Sequence, residues 1–145
     1  MTKIAFDRHV PYTPEQMFDL VADLRRYPSF VPNCSNMQVR PGGSDYDCYA
    51  RMGISFGPIS QDYESRVEMD RGNLRIAATA VDGPFSHLSS VWQFLPEGEG
   101  THIQFKVDFK LSNRLIAAVA EPLFATKQEE IMDAFVKRAD ELYGK

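Results

Sequence analysis

Cysteine is nearly absent from this chain, and long apolar runs are missing altogether. Cys34 and Cys48 form no Cys-x-x-Cys pair, and a chain of 145 residues needs no covalent staple, so both read as free thiols. The most apolar stretch, residues 115–120, is far short of the ~20 residues that span a bilayer. Clustered charge is missing too. The 16 basic and 20 acidic residues are dispersed and leave a net −4, which argues against binding DNA through a cationic surface and against docking on anionic lipid by charge alone. The opening residues, with Lys3 early and no apolar core, resemble neither a secretory signal nor an Arg- and Ser-rich transit peptide. The expectation is a soluble cytoplasmic protein, at most peripheral at the inner membrane.

Catalytic signatures are absent as well. The chain has no G-x-x-x-x-G-K, G-x-G-x-x-G, H-E-x-x-H or G-x-S-x-G segment. His9, His87 and His102 all fall at outward strand positions, so no catalytic residue and no metal site is assigned. Asp82 reads as the first residue of a Gly-Pro turn, and Glu64, Arg66 and Glu68 as a solvated strand face.

What is present is periodicity. In residues 101–111, Ile103, Phe105, Val107, Phe109 and Leu111 alternate with His102, Gln104, Lys106, Asp108 and Lys110, which predicts a half-buried antiparallel strand. Ile4, Phe6 and Val10 mark a first strand. Further strand patterns cover residues 46–56, 59–69, 73–81 and 86–95, joined by short turns rich in Gly, Pro, Asp and Asn, among them Gly57-Pro58 and Asp82-Gly83-Pro84. Two helices complete the pattern. Thr13 predicts an N-cap with Pro14 at the first helical position and Gln16 closing a capping box, in a helix that ends near Tyr27 before Pro28. From Ser112-Asn113 to Tyr143 the apolar period is helical, and Pro122 is expected to kink or break that helix. The fold class is therefore α+β: residues 1–145 as one domain, a curved antiparallel sheet wrapped around a long C-terminal helix.

Charge is withdrawn from residues 27–39, 52–61 and 83–96. Each stretch places large apolar residues beside turn formers: Phe30 and Val31 between prolines, Phe56 beside Gly57-Pro58, and Phe85 after Gly83-Pro84. Two readings are open. These loops fold inward and cap the core, or they form a hydrophobic rim at a cavity mouth that touches a membrane or partner.

Three elements carry a family resemblance: Val10-Pro11-Tyr12-Thr13-Pro14-Glu15-Gln16-Met17; Tyr27-Pro28-Ser29-Phe30-Val31-Pro32-Asn33-Cys34; and Asp82-Gly83-Pro84-Phe85 leading to Leu88 and Trp92-Gln93-Phe94. They resemble the coenzyme Q-binding protein family of START-like, polyketide cyclase-like domains, which also includes bacterial ribosome-association toxins. The resemblance implies a helix-grip fold of the START/Bet v1 type, an internal tunnel, and non-enzymatic binding and delivery of ubiquinone in support of respiratory electron transport. A bacterial source is expected, because the mitochondrial members carry a transit peptide. An alternative partner is the large ribosomal subunit, as for a toxin-type regulator of translation; a cyclase or dehydratase using Tyr63 as acid or base is a further one.

A quinone ring carries acceptors only, on a tail that gains little by leaving a bilayer for a dry tunnel, so ring contacts set the preference. The walls expected to meet it are Tyr63, Trp92, Phe94, Phe105 and Phe109 from the sheet, with Leu123, Phe124 and Phe135 from the helix. Ser90, Ser65, Gln61, the Tyr63 hydroxyl and the Trp92 indole nitrogen are the candidate polar contacts. No other cofactor is expected.

Overall fold

The computed structural model describes residues 2–44, 46–56 and 59–144. The strands are β1 (Thr2–Val10), β2 (Cys34–Pro41), β3 (Asp47–Phe56), β4 (Ile59–Asp70), β5 (Arg75–Ala80), β6 (Phe85–Glu97) and β7 (Gly100–Leu111). They form one antiparallel sheet in the order β1-β7-β6-β5-β4-β3-β2, a meander except where β1 returns to pair with β7. Helices α1 (Pro14–Ala22) and α2 (Arg114–Tyr143) pack on its inner side, giving the expected α+β helix-grip architecture. Among the described residues, no helix is long and apolar enough to cross a membrane.

Strand β7 follows its alternation closely. Ile103, Phe105, Val107, Phe109 and Leu111 are buried, whereas Lys106 and Lys110 are exposed. At the start of α1, the Thr13 hydroxyl accepts from the Gln16 amide at 3.1 Å, and the Gln16 side chain accepts from the Thr13 amide at 2.9 Å. Pro14 sits at the first helical position, where its missing N–H costs nothing. Met17, Phe18, Leu20 and Val21 form the buried face of this helix, with Phe18 edge-on to Phe94 at 6.2 Å.

Three expectations need correction. Helix α1 stops at Ala22 rather than near Tyr27, because Asp23 leaves helical geometry (φ −83°, ψ 70°) and the chain tightens into a 3-10 turn over Leu24–Ser29 that includes Pro28. Pro122 does not break α2, which runs unbroken from Arg114 to Tyr143. Both Pro122 and Ala118, whose carbonyl the ring deprives of a partner, are exposed, so water satisfies what the helix cannot. The strand expected at 73–81 is confined to Arg75–Ala80, since Leu74 takes a positive φ of 52° in the preceding turn. Strand β2, a polar edge segment, had no clear sequence pattern. The Gly57-Pro58 turn lies outside the described residues.

Candidate functional site

The concave sheet, α2 and the 3-10 turn do not close on one another completely. They enclose a cavity of about 130 Å³. Its walls come from β2 to β7, its floor from Leu24, Tyr27 and Val31, and its roof from Phe124, Gln128, Ile131 and Phe135 of α2. Among the described residues, no Asp, Glu, Lys, Arg or His lines it. A smaller hollow of about 60 Å³ shares Met52, Tyr63, Phe124, Gln128 and Ile131 with it and reaches Pro32, Asn33 and Lys127, which form a mouth beside the prolines after α1.

Aromatic contacts shape the cavity. Trp92 stacks on Phe105 at 4.1 Å and meets Phe135 edge-on at 5.0 Å. Phe135 also holds Tyr27 at 5.2 Å and Phe30 at 5.1 Å. At the other end Phe85 lies between Tyr63 at 5.4 Å and Phe124 at 5.2 Å.

The polar lining is sparse. The Ser65 and Ser90 hydroxyls make no hydrogen bond among the described residues, and both residues lie on the wall. Gln128 is only 5% exposed; its amide nitrogen donates to the Phe124 carbonyl at 3.1 Å. Among the described residues, the Tyr63 hydroxyl finds only the Met52 sulfur, at 3.9 Å. The Tyr27 hydroxyl is spent on the Val21 carbonyl at 2.5 Å. Burial pushes both phenols well above their ordinary value. Tyr63 thus stays neutral near pH 7 and is a poor general base there.

The Asp82-Gly83-Pro84-Phe85 element acquires a physical purpose here. The Asp82 carboxylate accepts from the Glu64 amide at 2.6 Å and from Arg51 at 2.7 Å, which holds it below the usual carboxylate range. Gly83 takes φ +93°, and a Cβ there would lie 2.4 Å from Cβ of Tyr63. The turn therefore presses on β4 directly behind the side chain that lines the cavity.

Of the residues expected to meet a ligand, Tyr63, Ser90, Trp92, Phe105, Phe124 and Phe135 line the cavity, as does Ser65. Phe94, Phe109 and Leu123 are not on its wall. Phe94 is sealed between Trp92 and Phe18, Phe109 is covered by Phe124 at 4.6 Å, and Leu123 faces outward. Gln61 is exposed on β4. The expected membrane rim also turns inward: Val31 and Phe85 are 5% and 7% exposed, and Phe30 is half-buried on Phe135. Desolvating these side chains against the cavity wall is worth more than leaving them in water. The Phe56 side chain lies outside the described residues. Gln128 escaped sequence reading, although the row Phe124, Gln128, Ile131, Phe135 has helical spacing with one polar member.

Size limits the occupant. An engineered apolar cavity of about 150 Å³ holds one benzene ring, whereas pockets for drug-sized ligands run from about 300 Å³. About 130 Å³ admits a single neutral ring; anything longer must extend through the mouth.

The sequence pattern of the family described as polyketide cyclase/dehydrase and lipid transport matches residues 10–136. A Rickettsia prowazekii protein named ribosome association toxin RatA is 33% identical over 136 residues, 92% of each chain. A Xenopus laevis protein named coenzyme Q-binding protein COQ10 homolog B, mitochondrial, is 30% identical over 139 residues, which cover 92% of this chain and 56% of that one. Neither name is that of an enzyme. The solution structure of an 18 kDa protein from Caulobacter crescentus matches with a TM-score of 0.82 at 29% identity, over 100% of both chains.

Proposed function

This chain belongs to the polyketide cyclase/dehydrase and lipid transport family, and from that premise we propose that it is a non-enzymatic, ribosome-associated regulator of translation. The supporting observation is the likeness to a ribosome association toxin over 92% of both chains, so that the similarity covers the sheet, both helices and the cavity together. The large subunit is the partner to test. Lys3, Lys106 and Lys110 are exposed on the outer face of β1 and β7 and have no ion-pair partner among the described residues. They form one group of the cations available to rRNA phosphate on a chain whose net charge is −4. Wild-type protein is expected to co-sediment with large subunits at low salt and less at high salt, and the triple Lys→Glu variant to remain in the supernatant. Absence from ribosomal fractions at both salts overturns the proposal.

A second reading concerns the cavity, and its size and lining support it. A neutral ring with acceptor groups, of which the ubiquinone head is one, suits a dry aromatic slot whose donors include the Ser65 and Ser90 hydroxyls and the second amide N–H of Gln128. The isoprenoid tail leaves through the mouth at Pro32, Asn33 and Lys127. Native mass spectrometry of protein expressed in a quinone-producing host should show a bound adduct that is lost on organic extraction. Bare protein from such a host, with no uptake of a short-tailed quinone in solution, removes this reading.

A further inference from the structure

Residues 115–126 of α2 contain one charge, Glu121, and it is turned inward. Its carboxylate accepts from the Leu111 amide at 3.1 Å and from the Thr2 hydroxyl at 3.3 Å. Ala120 and Phe124 are buried beneath this stretch, while Leu115, Val119 and Leu123 are 86%, 60% and 39% exposed on its outer side. A helix apolar on every side normally sits inside a protein or in lipid. Here only one side is covered.

The three exposed residues are spaced four apart and form a continuous ridge. Among the described residues, the other exposed large apolar side chains do not extend the ridge: Tyr46, Val81 and Leu95 lie outside α2, and Leu142 is at the far end of α2 beyond the charged stretch. Arg114 begins the helix before the ridge, and Lys127 continues the same spacing after it. Beyond Lys127 the outer face turns charged with Glu129, Glu130, Asp133 and Lys137. Lys127 also lines the cavity mouth, so the ridge ends one helical turn from that opening.

We propose that the ridge of Leu115, Val119 and Leu123 is a shallow docking surface for a lipid bilayer, which sets the cavity mouth against the acyl boundary. A second protein fits less well. Three aliphatic side chains offer at most a few hundred Å² of apolar area, against ~800 Å² per partner for a stable interface. A bilayer needs no complementary shape, and Arg114 and Lys127 at the two ends are placed to reach the phosphate level while the ridge enters the boundary. The inference rests on the ligand reading for the use of the mouth, not for the docking itself.

Vesicles of phosphatidylcholine with phosphatidylglycerol test it by flotation, with quinone binding measured separately on a short-tailed quinone in vesicle-free solution. The variant Leu115→Ser/Val119→Ser/Leu123→Ser replaces exposed side chains, so its melting temperature is expected to match wild type. Its flotation should fall about tenfold or more, with quinone binding in solution unchanged. Wild-type protein that does not float, or a variant that floats as wild type does, overturns the docking surface. Loss of ribosome co-sedimentation with flotation retained also overturns it and assigns the ridge to a ribosomal partner. Failure of quinone binding in both proteins counts against the ligand reading alone. A variant that melts early is replaced by Leu115→Gln, whose more exposed side chain should still lower flotation; if it does not, the proposal falls.

Discussion

Replacing Gly83 with alanine should destabilise this protein more than the same change at Gly98 or Gly43. Gly83 has φ +93°, and its added Cβ would meet Cβ of Tyr63 at 2.4 Å. Strain in that backbone region costs ~1–3 kcal/mol, and forcing a methyl against a packed wall costs ~1–3 kcal/mol more. In a domain of this size each kcal/mol lowers Tm by ~2–4 °C, so the drop should be about 4–24 °C. Gly98 separates the two causes. It has φ +62° with nothing within 4 Å of the built Cβ, so Gly98→Ala carries strain alone, about 1–2 kcal/mol. Gly43 has neither positive φ nor a neighbour within 4 Å, and Gly43→Ala should lie within about 0.5 kcal/mol of wild type. Calorimetry of the three variants gives the order directly. If Gly83→Ala and Gly98→Ala melt together, contact with Tyr63 is not what makes the turn demanding. If Gly83→Ala melts with wild type, the turn does not brace the cavity wall at all.

Asp82 is held below the usual carboxylate range in the fold, first by the Glu64 amide and then by Arg51. A depressed carboxyl contributes stability above its unfolded value and loses it as pH falls through the folded one, so the decline of Tm between about pH 5 and pH 2 should be shallower in Asp82→Asn; parallel profiles contradict this. Burial raises the Cys34 thiol to about 11, so disulfide-exchange reagents at pH 8 should label it on the order of 100-fold more slowly than free cysteine, and full labelling within the time of a free thiol would refute the burial. Gln128→Met removes the polar member of the cavity roof without changing its bulk greatly. Quinone binding should weaken about tenfold while Tm holds or rises, and unchanged binding would show that the glutamine does not meet the ligand.

The strands and the first helix cap were legible because their signals are local. Period-two alternation in β7 and the Thr13-Pro14-x-Gln16 box depend only on neighbours in the chain, and the structure keeps both. The end of α1 was not legible, since a 3-10 turn and an α-helix share their sequence preferences near Pro28. For the cavity, the apolar face of each strand could be read, but not which residue on that face borders empty space. Phe94 and Phe109 lie on the same faces as Trp92 and Phe105, and neighbours on another element seal them off.

Composition and periodicity by themselves determined a charge-dispersed α+β chain with one wet and one dry side to its sheet, because hydrophobic burial acts on every residue of a face alike. Tertiary structure alone decided where the dry faces fail to meet, that Val31 and Phe85 turn inward, and that Leu115, Val119 and Leu123 are left in water. The physical reason is that packing depends on the separation of elements distant in sequence: α2 rests on β7 and β1 with Ala120 and Phe124 and stands off the middle of the sheet, and no local pattern records that distance.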